Sequence, residues 1–320
     1  MIGIIGLSIV NAISSTQTSN KSNGNPNVSA AYDNFSELHG GGYKLINPLY
    51  ECNTGLPYGT TQLLDLKNSV SSYIDQITAN NSVTRAAVQY RDLNAGPWFG
   101  INNQDLFSPS SLLKVPVMMA YYKEAEKNPL ILTQEITYTQ DPAGLANENF
   151  PPKHPLVKGK TYTVEQLIEQ MIIESDNVAL LLLEDKIGND KINQVTLDMG
   201  ITNYQDLSMS VVDYATLFRV LYYATYLNKD YSEKALEILS RVEFTQGLVA
   251  PLPKEIVVSH KFGEREADGV HQLHDCGIVY YPKHPYLVCI MTKGPNFNDL
   301  MATIQQISSK IYIETSRMYH

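Results

Sequence analysis

The stretch FSPSSLLKVPVMMAYY, residues 107–122, places three serines just ahead of a single lysine, and the chain beyond that lysine is apolar. On a helix, residues three apart face the same side, so Ser111 and Lys114 are expected to meet. A serine hydroxyl is a useful nucleophile only with a base within hydrogen-bond reach. The stretch therefore indicates either a nucleophile–base pair or a helix capped by Ser108 or Ser110 whose lysine reaches solvent.

A second motif, Ser175-Asp176-Asn177, precedes an almost wholly apolar segment, NVALLLLEDKIG. A helix that is apolar on all sides lies in the middle of a domain. Ser175 can relay a proton and Asn177 can hold a substrate amide, whereas Asp176 is expected to be a structural N-cap. Taken alone, the motif is also explained by helix capping.

A third motif, Lys261-Phe262-Gly263, ends an apolar run, VVSHKFG, that predicts a strand. Lys261 can lower the pKa of Lys114, because a nearby like charge disfavours the charged form, and burial acts in the same direction. Alone, Lys261 would be an exposed strand lysine. Three motifs in this order, each on its own element, favour one site, and the set selects Ser111 as the nucleophile. Its two neighbouring serines are then expected to be caps.

Hydrophobic periodicity predicts an α+β fold. A helix is expected from about Thr60, then two strands, several helices, three strands and a last helix from Asp299 to about Glu314. Capping-box patterns mark two of the helix starts: Thr163 with Gln166, and Ser210 with Asp213. Strands from both ends of the chain should form one antiparallel sheet, with the helices inserted as a second lobe. The last two strands should form a hairpin across residues 282–285, and residues 140–160 should be loop.

Composition limits the classes of partner and cofactor that are expected. The net charge is −9 without a basic stripe, which excludes nucleic acid as an expected partner. Cys52, Cys276 and Cys289 have no CxxC spacing; buried reduced thiols are expected, and a single bridge stays open. No cofactor and no metal is expected, because the cluster His271, His274 and Asp275 fits no common site. For Asp275 we expect the start of a strand and a hydrogen bond to a histidine.

The N-terminal part predicts export. Residues 1–15 are an apolar segment of signal-peptide length, shorter than the roughly 20 residues of a bilayer span and without a preceding Lys or Arg. Residues 16–59 are an Asn/Ser-rich linker and irregular lead-in, and residues 60–320 are the expected domain. This layout indicates an extracytoplasmic monomer, secreted or membrane-anchored. A cytoplasmic protein with a buried N-terminal strand is the alternative.

From about Val83 to the C-terminus, the chain resembles the penicillin-recognising serine hydrolases, above all their class A β-lactamase-like branch. S-x-x-K and S-D-N are intact, and Lys261-Phe262-Gly263 stands in place of K-T-G. The resemblance implies a two-lobe α+β fold and an acyl-enzyme formed with β-lactams or D-Ala-D-Ala peptides. It also implies these roles: Ser111 as nucleophile, Lys114 as base, Ser175 as proton shuttle, Asn177 as substrate contact and Lys261 as electrostatic anchor.

The third motif departs from this family. Phe262 lacks the hydroxyl that would help to bind a substrate carboxylate, and Glu264 adds a negative charge nearby unless its side chain points away. Arg265 can replace the lost donor. Phe262, Gly263 and Glu264 are nevertheless expected to border the substrate, and the backbone N–H groups of Ser111 and Glu264 are expected to bind the oxyanion.

The deacylation machinery also departs. Asn177 and Ser210 are only 33 positions apart, and no E-x-x-L-N pattern lies between them. A full Ω-loop, about 6–16 residues, does not fit beside the helices expected there, and Glu184 and Asp185 should lie on one of them. Without a positioned base, deacylation should be slower by roughly 10²–10⁴-fold. A D,D-peptidase acting on cell-wall peptides and a non-catalytic penicillin- or peptidoglycan-binding sensor domain are the two alternatives.

Overall fold

The computed structural model describes residues 36–39, 42–53, 61–94, 96–145, 148–202 and 208–319. The strands are β1 (Ser36–His39), β2 (Leu49–Asn53), β3 (Arg85–Asp92), β4 (Trp98–Ile101), β5 (Glu135–Thr137), β6 (Thr161–Thr163), β7 (Val258–Ala267), β8 (Val270–Val279) and β9 (Tyr286–Gly294). The helices are α1 (Thr61–Ala79), α2 (Lys114–Ala125), α3 (Val164–Ile173), α4 (Asn177–Ile187), α5 (Asn189–Asp198), α6 (Val211–Tyr222), α7 (Lys229–Leu239) and α8 (Phe297–Tyr319).

One five-stranded antiparallel sheet has the order β4-β3-β9-β8-β7. Strands from both ends of the domain form it, so the predicted α+β architecture with an inserted helical lobe is confirmed. The predicted β8–β9 hairpin is also present. A second hairpin joins β7 to β8 through Asp268 and Gly269, whose φ angles of 55° and 73° suit a tight turn. This Asp-Gly turn was not predicted.

Helices cover the sheet and form the second lobe. α8 packs on β8, β9 and α1, whereas α6 packs on β9, β8 and β3, and α7 packs on β7. The capping boxes at Thr163 and Ser210 are confirmed, because each side-chain oxygen accepts the backbone N–H three residues on. α5 and α7 were not predicted, and α8 is longer than expected.

The predicted leader and most of the linker, residues 1–35, lie outside the described residues. β1 and β2 pair within the expected lead-in, and residues 34–320 form one compact unit. Glu233 on α7 accepts the backbone N–H groups of Lys44, Leu45 and Ile46 at 2.9–3.0 Å. Residues 44–46 of the expected lead-in are therefore hydrogen-bonded to α7. Across the described part of the chain, no helix is both long and apolar enough to span a bilayer.

The cysteine expectation needs a correction. Cys276 and Cys289 are direct cross-strand partners on β8 and β9, and they form a disulfide. The strand register decides this bond, because it places two distant cysteines side by side. Sequence spacing alone left the bridge open and favoured reduced thiols.

Candidate active site

The serine stretch folds as a 3₁₀ turn, Ser110–Leu113, followed directly by α2. Ser110 has φ 52°, in the left-handed region that non-glycine residues rarely adopt. This strained backbone conformation lies directly before the nucleophile candidate, Ser111. Pro116 lies in the first turn of α2, where its missing N–H costs least. The expected serine caps are wrong: the N-cap position is Pro109, and no side chain caps this turn.

Ser108 is held by the sheet instead. Its N–H donates to Gln272 Oε1 at 3.1 Å, and its hydroxyl accepts from Arg265 Nη1 at 3.0 Å. Its carbonyl lies 3.0 Å from His274 Nε2, and the Thr292 N–H lies 3.2 Å from His274 Nδ1. Burial lowers the pKa of His274 to about 4, so the imidazole is neutral, accepts from Thr292 and donates to Ser108. β7 and β8 thus fix the chain three residues before Ser111.

Gly263 explains how close the 3₁₀ turn comes to β7. A Cβ built on Gly263 would lie 2.7 Å from Pro109 O and 3.1 Å from Leu112 N. Any side chain would push the turn away from the strand. The glycine of the third motif is therefore needed for backbone packing beside the nucleophile candidate.

Lys114 is fully buried and joins two of the motifs. Its Nζ donates to Ser111 Oγ at 2.8 Å, Ser175 Oγ at 3.2 Å and Asn177 Oδ1 at 2.7 Å, and also to the Ser175 carbonyl. Ser175 has φ 59°, a left-handed conformation in which both of its oxygens reach the same amine. The predicted pairing of Ser111 with Lys114 is thus present in the structure.

Lys261 brings in the third motif. Its Nζ donates to Ser175 Oγ at 2.8 Å and to the Phe262 carbonyl at 3.0 Å. Ser175 Oγ therefore lies between the two lysine amines, within hydrogen-bond distance of each. The hydrogen bonds connect Ser111, Lys114, Ser175 and Lys261 in one chain, as the order of the motifs predicted.

The surroundings of the two lysines lower the pKa of both amines. Burial lowers the pKa of Lys114 to about 8, although nearby carboxylates, Glu148 first, partly offset the effect. Burial and the Lys114 charge hold the pKa of Lys261 well below its ordinary value. Burial therefore disfavours the ammonium form of both lysines, and the Lys114 charge adds to this effect at Lys261.

Glu148 borders the site but was not predicted. Asn177 N–H donates to its Oε1 at 3.0 Å, and burial raises the pKa of this carboxyl. Glu148 lies in the segment 140–160, for which the sequence predicts only a loop. No motif or periodicity in that segment distinguishes this residue. Asp176, in contrast, caps α4 through the Ala179 N–H at 3.0 Å, as expected.

The departures in the third motif have visible consequences. The Glu264 carboxylate accepts the backbone N–H and the side-chain amide of Asn149, both at 2.7 Å, so it ties down the loop across the cavity. The Phe262 ring is buried, stacks on Phe244 with centroids 4.1 Å apart, and has Lys261 Nζ 4.2 Å from its centre. Arg265 contacts Ser108, as noted above.

A cavity of about 760 Å³ opens over these groups. Its walls include Ser111, Ser175 and Asn177 together with Glu148 and Phe262. This size accommodates a small-molecule or short-peptide ligand. Ser111, the first member of the hydrogen-bonded series Ser111, Lys114, Ser175 and Lys261, lines this cavity.

The cluster of His271, His274 and Asp275 does not form a metal site among the described residues. Within the described ranges, no group of three potential metal ligands lies together. Asp275 does have a histidine partner, but it is His260 on β7, at 2.8 Å, and Asp275 lies in the middle of β8 rather than at its start. Its second oxygen accepts the Leu248 N–H at 2.9 Å.

Comparison with known proteins agrees with this fold and site. A family model described as the beta-lactamase enzyme family matches residues 69–315, more than half of the chain, and the chain therefore belongs to this family of serine hydrolases. Beta-lactamase VEB-1 from Pseudomonas aeruginosa is 27% identical over 210 residues, which cover 57% of this chain and 68% of the relative.

Two solved structures show the same fold. PBP-A superimposes with a TM-score of 0.67 and 21% identity, covering 80% of this chain and 97% of PBP-A. A beta-lactamase from Chitinophaga pinensis gives a TM-score of 0.68 and 20% identity, covering 78% of this chain and all (100%) of the other. The expected β-lactamase-like fold is therefore confirmed.

Proposed function

We propose that Ser111 forms an acyl-enzyme with β-lactams or with D-Ala-D-Ala-like substrates. The observation that carries the proposal is the position of Lys114 Nζ, 2.8 Å from Ser111 Oγ and 3.2 Å from Ser175 Oγ. A buried amine with a lowered pKa, in contact with a hydroxyl that borders a cavity, is the arrangement that an activated serine requires.

The chemistry follows from these contacts. Neutral Lys114 takes the proton of Ser111 Oγ as that oxygen bonds to the substrate carbonyl carbon. The proton passes through Ser175 Oγ to the leaving nitrogen when the amide or β-lactam C–N bond breaks. Lys261, on the far side of Ser175, donates to Ser175 Oγ and so holds this hydroxyl in position for the transfer. We assign the oxyanion to the backbone N–H groups of Ser111 and Glu264.

We further propose that deacylation is slow. α4 and α5 occupy residues 177–198 with one residue between them, and Glu184 and Asp185 lie on α4, as expected. Among the described residues between α5 and α6, 199–202 and 208–210, none is acidic. On this proposal, none of these described residues supplies a carboxylate to activate the hydrolytic water, which should slow its attack roughly 10²–10⁴-fold.

A fluorescent penicillin tests both steps. Labelling that Ser111→Ala abolishes, followed by release over many minutes, is the expected result. Rapid release would overturn slow deacylation and leave acylation standing. No label on the wild-type protein would overturn acylation and favour a binding scaffold.

A D,D-peptidase activity is the second candidate, and the charge of the cavity favours it. Four carboxylates line the cavity: Glu148, Glu264, Glu266 and Asp268. They can attract the free amino groups of a cell-wall peptide, whereas the carboxylate is common to this peptide and to a β-lactam. D-Alanine release from Lys-D-Ala-D-Ala should then exceed release from its Nα,Nε-diacetyl form. Equal rates would contradict this preference.

We also propose an extracytoplasmic location, with residues 1–15 as a tether and the folded unit as a monomer. The Cys276–Cys289 disulfide supports export, because such bonds persist in oxidising compartments. Cell fractionation and light scattering of the purified protein test the two statements. A cytosolic pool with both thiols free would contradict the first, and a stable dimer the second.

A further inference from the structure

A second, smaller cavity lies far from Ser111 in the fold, between α6 and the β3–β4 edge of the sheet. Its volume is about 250 Å³, and two arginines, Arg91 and Arg219, line it. The remaining lining residues are polar amides, small or apolar residues and one indole: Gln89, Trp98, Asn103, Gln104, Val212, Ala215, Thr216 and Leu287.

The local sequence explains why these side chains converge. Arg91 is the cross-strand partner of Trp98 on one side and of Leu287 on the other, so all three project from the same face of the sheet. The residues from α6 follow the spacing i, i+3, i+4, i+7 and so form one stripe that ends at Arg219. Apart from Asn103 and Gln104, which follow β4, the lining residues lie on strands and on α6.

The two guanidinium groups have no counter-charge. Neither guanidinium group forms an ion pair or a hydrogen bond with a described residue, and no described residue that lines the cavity is acidic. Arg91 Nε is buried without a hydrogen-bond partner. Burying a cationic donor without a partner is costly, and placing a second cation beside it adds to the cost.

Arginine cannot relieve this situation by losing its proton, because its pKa is too high in water. Burial and the Arg91 charge do lower the pKa of Arg219, in agreement with two facing cations. Two lysines in the same position could lose a proton, because burial lowers the pKa of a lysine, as it does for Lys114 and Lys261. The two arginines keep their charge, and an anion that enters from solution can balance it.

We propose that this cavity binds a small dianion, a phosphate group or a dicarboxylate, between the guanidinium groups of Arg91 and Arg219. Planar guanidinium forks match both phosphate and carboxylate oxygens. The amide of Gln89 is oriented by Asn103 Nδ2, which donates to its Oε1 at 3.1 Å and leaves its N–H₂ free to donate to the anion. The volume is below the roughly 300–1,000 Å³ of drug-sized ligand sites, so the ligand is an ion or a small head group.

Trp98 gives a direct measurement, because it is the only tryptophan in the chain and it lines this cavity. The full-length protein is titrated with inorganic phosphate and separately with succinate, at constant ionic strength set by sodium chloride. We expect a saturable change in Trp98 fluorescence. The anion that binds more tightly identifies the ligand class.

Variants decide whether the arginines are responsible. Arg219→Gln should weaken binding at least tenfold, and Arg219→Lys should weaken it less. Arg85→Gln is the control, since it removes one arginine charge from β3, the strand of Arg91, where Arg85 pairs with Asp105 at 3.0 Å outside the cavity. Its affinity should stay within twofold of the wild type, and circular dichroism checks that each variant folds.

The proposal is overturned if neither anion gives a saturable signal in fluorescence or heat in calorimetry. It is also overturned if Arg85→Gln weakens binding as much as Arg219→Gln, because the effect would then be general electrostatics. The test does not depend on the chemistry of Ser111.

Discussion

The cavity over Ser111 and the arginine cavity differ in the hydrogen-bond partners of their cationic side chains. Both lie on one face of the same sheet, because the cross-strand row Lys261, Cys276, Cys289 and Gln89 runs from one to the other through the disulfide. At the β7 edge, Lys114 and Lys261 are surrounded by neutral oxygens. At the β3–β4 edge, the guanidinium groups of Arg91 and Arg219 have no acceptor among the described residues.

This difference separates two kinds of site. A buried lysine held by neutral acceptors can lose its proton, so the β7 edge is suited to proton transfer. An arginine keeps its proton, so the β3–β4 edge can only attract negative charge. Fully buried lysines therefore produce a base in one place, and half-buried arginines produce an anion site in the other.

The largest effect should come from removing the base. Lys114→Gln should slow labelling by fluorescent penicillin roughly 10²–10⁴-fold, as expected for the loss of a general base. Lys123→Gln on the same helix is the control, since Lys123 Nζ donates to Tyr226 O at 2.6 Å away from the cavity. Similar labelling rates in the two variants would show that Lys114 is not the base.

A smaller effect should follow from crowding the β7 edge. Gly263→Ala places a Cβ about 2.7 Å from Pro109 O and so pushes the 3₁₀ turn outward. Overpacking of this kind costs about 1–3 kcal/mol, which should lower Tm by roughly 2–10 °C. Slower labelling should accompany the loss of stability, because the turn carries Ser111. An unchanged Tm and labelling rate would contradict the close approach.

The pH dependence of labelling measures the charge around Lys114. With its pKa near 8, the labelling rate should rise with pH and level off above about 8, because only the neutral amine accepts a proton. Glu148→Gln removes the carboxylate that most favours the charged lysine, so the plateau should begin at a lower pH. The gain at pH 6 should stay below about tenfold.

Glu135→Gln is the control for this change, since Glu135 is exposed on β5. Its pH profile should match that of the wild type. A Glu148→Gln profile that also matches the wild type would mean that Glu148 does not act on Lys114.

The smallest effect concerns the arginine cavity without added anion. Arg219→Gln removes one of two facing charges and should raise Tm by about 1–2 °C. Differential scanning calorimetry in a buffer free of phosphate and carboxylates measures it. A fall of several degrees would mean that Arg219 has a stabilising partner in the folded protein.

Local patterns in the sequence determined the elements and the identities of the site residues. Helix α1, the capping boxes of α3 and α6 and the strands β3, β4, β7 and β9 followed from periodicity and cap residues. The three short motifs predicted that Ser111, Lys114, Ser175 and Lys261 would meet, because each stands at a recognisable place on its own element. Their catalytic roles stay predictions until they are measured.

Tertiary structure decided what depends on residues distant along the chain. The bridge between Cys276 and Cys289 follows from strand register, and the contact of Glu148 with the Asn177 N–H follows from how a loop without any pattern folds over α4. The unpartnered arginines likewise come from β3 and α6, 128 positions apart in sequence (219 − 91). Periodicity reports only on neighbours within a few residues, whereas burial and charge pairing are set by which elements pack together.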